Sequence, residues 1–135
     1  MKDSRPPSAL RCRVSLELAS GIIGQSVRSG KQALAGSHRN LVSGHIDCSV
    51  NLEEAVGVEQ RSGEKIVDYL LVDRDHCEKN FVEVHPASST ANVSELVDKR
   101  NGTTSVLKRM GIRADGCWYW IVGGGGTICF KANDR

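Results

Sequence analysis

The sequence predicts an α/β (α+β) domain with one central mixed β-sheet flanked by helices, in the order α-β-β-β-α-β(β). Three observations carry this expectation. Two short runs rich in β-branched and aromatic residues, 66–72 (IVDYLLV) and 81–85 (FVEVH), flank a polar, charged turn. Apolar residues at spacings of three to four stand before and after this pair, as helices packed on a sheet require. No internal repeat or low-complexity linker divides the chain, so these elements belong to one layered unit.

The totals agree. A chain of 135 residues suffices for one domain and one buried core. With 25% charged and 39% apolar residues, the composition is that of an ordinary globular protein. A net charge of +2 does not by itself announce a polyanionic partner; only clustering on one face would. Cys12, Cys48, Cys77, Cys117 and Cys129 are odd in number and widely spaced, without a CxxC pair. They are expected to be reduced, several of them buried, in a cytoplasmic protein. The first residues show no apolar signal core, and no run approaches the ~20 apolar residues that span a bilayer. No membrane association is therefore expected.

Residues 1–9, with Pro6 and Pro7, read as a flexible tail ahead of a single domain over 10–135. Leu16, Ala19, Ile23 and Val27 predict a helix from about 9 to 29, weakened by Gly21 and Gly24. Arg28, Lys31, His38 and Arg39 form a basic stretch whose first reading is a solvated surface and whose second is a phosphate-facing patch. Ile46, Cys48 and Val50 alternate as one face of a half-buried strand, with Asp47 on the other. Asn51 with Glu54 matches a helix cap, which favours a short turn near 52–57 over a strand continuing to Gln60.

The 73–80 segment groups acids, His76 and Cys77, but its spacing fits no zinc pattern and a hairpin turn is the simpler reading. Residues 88–92 supply caps for a second helix from 92 or 93. Asn101-Gly102 would interrupt that helix, yet the apolar stripe resumes at Val106, leaving one long helix or two in sequence. Lys99, Arg100, Lys108, Arg109 and Arg113 make this the most basic region. Residues 117–122 (CWYWIV) and 127–130 (TICF) predict strands joined by a hairpin at Gly123–Gly126. Lacking GKS or GKT before a helix, those glycines do not read as a phosphate loop.

The chemistry-bearing residues lie in the central pair. Glu83 and His85 are two apart on one strand and share a face. Asp68 lies in the neighbouring apolar run. An acid in an apolar strand is costly unless paired, hydrogen-bonded or bound to a metal. Two carboxylates can hold Mg²⁺ or Mn²⁺, which keep several waters. Each residue also has a structural explanation, as a local cap or an ion-pair partner.

With Asp68 on one strand and Glu83-Val84-His85 on the next, the chain resembles the PD-(D/E)XK nuclease-like (restriction-endonuclease-like) superfamily over about residues 14–130. The resemblance implies Asp68 and Glu83 as metal ligands, with Glu17 as a possible helix acid. It implies a Mg²⁺- or Mn²⁺-dependent phosphodiesterase acting on or binding nucleic acid. His85 stands where the superfamily has its lysine, and Lys99 on the following helix is the candidate replacement, as in some members. The alternative is a catalytically inactive module of the same fold that binds a protein partner, using Trp118, Tyr119 and Trp120.

Overall fold

A computed structural model describes residues 9–57, 61–85, 93–122 and 128–130. The elements are α1 (Arg13–Ser20), a 3₁₀ turn (Gly24–Ser26), β1 (Val27–Ser29), α2 (Gly36–Arg39), β2 (Val42–Gly44) and β3 (Ile46–Asn51). They continue with α3 (Leu52–Ala55), β4 (Tyr69–Asp73), β5 (Lys79–His85), α4 (Val93–Arg109), β6 (Cys117–Val122) and β7 (Ile128–Phe130). Five strands form one sheet in the order β1-β3-β4-β5-β6. The β1–β3, β3–β4 and β4–β5 pairings are antiparallel, whereas β5 and β6 run parallel. The parallel pair requires a crossover, and α4 supplies it. This is the mixed sheet flanked by helices that the sequence predicts.

Strand periodicity divides the core in two. Leu70, Val72 and Phe81 join Leu18 of α1, Leu52 of α3 and Val106 and Leu107 of α4 on one face. Tyr69, Leu71, Val82 and Ile121 pack with Leu34 and Val42 on the other. The central strands are thus buried on both sides, as near-continuous apolar runs imply.

Several expectations are corrected. The first helix is eight residues long and ends at Ser20. At Gly24 an added Cβ would stand 2.2 Å from the Ala19 carbonyl oxygen, so the chain turns back there and residues 27–29 become an edge strand. β3 is buried on both faces, and a register shift between Ile46 and Cys48 sends Ile46 to the core opposite Cys48. Asp47 consequently lies with Cys48 beside Ser15 rather than opposite it. β7 does not form a hairpin with β6. It pairs in parallel with β2, so a tertiary contact sets its partner. The glycine turn at 123–126, the caps at 88–92 and the tail up to residue 8 lie outside the described residues. The Asn51 cap is observed: its side chain accepts the Glu54 N–H, and the chain leaves β3 for α3 at Leu52.

The cysteines are not all reduced. Cys12 and Cys77 form a disulfide between the N-cap of α1 and the β4–β5 turn, which removes the premise for a cytoplasmic location. The pairing is achieved by a tertiary fold that brings Cα atoms 65 positions apart in sequence to 5.3 Å. Among the described residues no helix is long and apolar enough to cross a membrane.

Beside the disulfide, the Asp47 carboxylate is fully buried and satisfied on both oxygens. It accepts N–H groups of Arg11 and Cys12 and the Arg74 guanidinium at 2.9–3.2 Å. Burial alone would raise its pKa, but the Ser15 hydroxyl, those N–H groups and Arg74 outweigh it and hold it below the usual value of 3.8. A depressed acid contributes stability above its unfolded pKa and loses it as pH falls below 3.8 toward the folded value. Asp47→Ala is expected to cost about 3 kcal/mol in urea denaturation at pH 7, with the gap to wild type shrinking at acid pH.

α4 is one continuous helix through Asn101-Gly102. A Cβ at Gly102 would stand 2.0 Å from the Lys65 carbonyl oxygen, so glycine is required there by close approach rather than by a turn. The adjacent Thr103 Oγ1 accepts the Val67 N–H at 2.9 Å, joining α4 to the segment that enters β4. Gly102→Ala should therefore destabilise by about 2 kcal/mol, measured by urea denaturation, instead of the ~1 kcal/mol gain that helix propensity gives.

Candidate functional site

Asp68, Glu83, His85 and Lys99 come together at one end of the sheet. Asp68, expected within the first apolar strand, instead lies in the bend just before β4, where the ladder ends at the Tyr69–Val82 pair, and its charge acts on Glu83 of β5. Asp68 is fixed twice. Its carbonyl accepts the Leu52 N–H at 2.9 Å, and its Oδ2 accepts the Val84 N–H at 2.8 Å. The crossover helix then lays Lys99 against Glu83.

Glu83 is the centre of the group and is only 2% exposed. Its Oε2 accepts the Lys99 ammonium and lies 3.2 Å from His85 Nε2. Its Oε1 is buried without a hydrogen-bond partner. On β6 the residue in register with Glu83 is Trp120, whose indole N–H is likewise buried and unpartnered. His85 packs edge-on against the Trp120 ring at 5.1 Å.

Burial raises the Glu83 pKa above the usual 4.5, and the like charge of Asp68 adds to it, against the opposing pull of Lys99 and His85. Burial acts to lower the Lys99 pKa, but the Glu83 carboxylate more than offsets it and leaves the ammonium above 10.5. Glu83 therefore bears the desolvation and Lys99 supplies the compensating charge.

Other candidates are elsewhere. Glu17 ion-pairs with Arg13 at 3.0 Å on the outer side of α1. It lines a hollow of about 520 Å³ with Lys79, Met110 and Asp115, and none of the four clustered residues lines it. The basic loop after β1 is at the surface, with Arg39 exposed, and Lys31 and Arg39 also donate to the carbonyls of Arg39, Val42, Leu34 and Gln32, stitching the loop together. On α4, Arg100 sits over the Trp118 ring and Arg109 holds Glu64.

The β6 aromatics do not form one patch. Trp118 stacks on Phe81 at 4.2 Å, while Tyr119 packs on the opposite face. Cys48 is an inert buried thiol, its pKa pushed up to about 11 chiefly by burial and further by Asp47.

Sequence reasoning missed Asp47, the best-satisfied buried acid; its place inside an alternating strand was the available signal. Among the described residues, no three His, Cys, Asp or Glu side chains converge where a metal ion could sit. No protein-family model, curated protein or solved structure matches the chain.

A raised acid pKa favours the fold while the group is protonated, and that stability is lost as pH rises from the unfolded value through the folded one. Lys99 stays charged over this range and contributes no slope. Urea denaturation from pH 4 to 8 should show wild type losing stability relative to Glu83→Gln as pH rises above 4.5. A difference independent of pH would contradict the assignment.

Proposed function

We propose that this domain is a divergent PD-(D/E)XK nuclease-like domain that acts on nucleic acid as a metal-dependent phosphodiesterase. The observation that carries the reading is the nearness of Asp68, at the entry to β4, to Glu83 of β5, with the lysine of the crossover helix on Glu83. The strand order and directions support it, with an antiparallel run ending in a parallel pair bridged by a helix.

The donor set fits a hard divalent cation. Both ligands would be carboxylates, and the Glu83 Oε1 is a buried acceptor lacking a partner. With two protein ligands, Mg²⁺ or Mn²⁺ would keep several waters. When bound, such a cation polarises a phosphoryl oxygen and acidifies its own water.

The protein's side chains do the rest. Asp68 is held rigid by the Val84 N–H, so its second oxygen, Oδ1, has a fixed direction. His85 Nε2, 3.2 Å from Glu83 Oε2, braces the same oxygen that Lys99 holds. The Lys99 ammonium is the cation available to a phosphate oxygen as negative charge grows there.

A second reading, a catalytically inactive module of this fold binding a protein partner, has one observation in its favour. Val93 and Val97, four apart on α4, are 70% and 47% exposed and form an uncovered apolar stripe. Incubation with single- and double-stranded DNA and RNA in Mn²⁺ or Mg²⁺ separates the two. Cleavage is expected, reduced about 100-fold or more by Asp68→Ala or Glu83→Ala. Cleavage indifferent to Glu83→Ala would sink the site, and neither cleavage nor salt-dependent binding would leave the partner-binding module.

A further inference from the structure

We infer that Lys99 is a built-in stand-in for a divalent cation: its ammonium holds the Glu83 carboxylate until metal loading displaces it. This rests on the reading of Asp68 and Glu83 as metal ligands and concerns how that site is kept and opened.

The molecule contains its own control for a finished structural ion pair. Asp47, equally buried, has both oxygens satisfied by two backbone N–H groups and a guanidinium. Glu83 is different. Lys99 and His85 both converge on Oε2, while Oε1 is buried and unpartnered. A carboxylate recruited only for stability would be expected to use both oxygens, since an unsatisfied buried acceptor is unfavourable.

The surroundings are crowded with acid: Asp68, Glu83 and Glu95 act on the Lys99 ammonium, and His85 shares Glu83 Oε2 with it. Once a divalent cation joins, Lys99 becomes a like charge at close range and is repelled. It has somewhere to go. The Lys99 side chain is 19% exposed, and its flexible four-carbon stem can carry the ammonium into water or toward a phosphate without moving α4. The buried carboxylate is never without a cation: the lysine serves the empty state, and leaves when the site is loaded.

The test uses the full chain and Mn²⁺ alone at pH 8. Unbound Mn²⁺ is quantified by electron paramagnetic resonance and the thermal midpoint is followed in parallel. Lys99→Met should bind Mn²⁺ about tenfold or more tightly than wild type. Its midpoint should start lower without metal and rise further with it. Lys99→Arg, which keeps the cation, should stay near wild type.

Should Lys99→Met fail to fold, wild type alone decides. A slowly exchanging Lys99 ammonium signal in ¹⁵N-lysine NMR should vanish on adding Mg²⁺. Equal Mn²⁺ affinities of wild type and Lys99→Met, or an ammonium signal unchanged at saturating Mg²⁺, overturn the inference while leaving the metal site intact. Metal binding indifferent to Glu83→Gln, or none at all, overturns both.

Discussion

The seam between α4 and the segment entering β4 is the constraint on which the rest of the molecule depends. At Gly102 the helix backbone touches the Lys65 carbonyl with no room for a side chain. One residue on, Thr103 accepts the Val67 N–H. These contacts fix the height and rotation of the crossover helix over the sheet. Lys99 lies one turn earlier on the same helix, and Thr103 Oγ1 also donates to the Lys99 carbonyl. The seam therefore sets where the ammonium falls, and it falls on Glu83.

The sheet supplies the other half of the geometry. Antiparallel pairing of β4 and β5 brings the bend residue Asp68 to the Val84 N–H next to Glu83, and parallel pairing of β5 and β6 sets Trp120 beside Glu83. Phe81 and Trp118 stack in the adjacent register position and close the apolar side. Glu83 is thus buried beside Trp120, and burial raises the penalty for its charge, which the neighbouring Lys99 offsets. The same burial that strengthens Coulombic attraction there would also strengthen repulsion between two cations.

Local patterns were legible where chemistry is local. The β-branched runs gave β4, β5 and β6, and the spacing of Asn51 and Glu54 gave the cap of α3. Glu83 and His85 could be placed on one face by period alone. The misreadings concern geometry that residue spacing alone does not show. The apolar spacing of Ile23 and Val27 mimics a helix, but α1 ends at Ser20, ahead of both, and the backbone folds back onto Ala19 at Gly24. The bulge after Ile46 reverses a face assignment that strict alternation would keep. Asn101-Gly102 has turn composition, yet the close packing against Lys65 makes it the middle of a helix. Lys31 and Arg39 do lie at the surface, but nothing in their spacing shows which carbonyls they cap.

The Cys12–Cys77 disulfide has a consequence for assembly. Joining positions 65 apart, it turns the unfolded chain into a ring bearing a tail. Closing a ring of that size removes about 4 kcal/mol of freedom from the denatured ensemble. β1 to β4 belong to the ring, whereas β5, α4 and β6 belong to the tail. Glu83 and Lys99, only 16 residues apart in that tail, meet with a small loop-closure penalty that the cross-link leaves unchanged. Asp68 sits on the tethered side of that division, so the two acids are drawn from opposite sides of the cross-linked boundary and meet only when ring and tail zip together along β4 and β5.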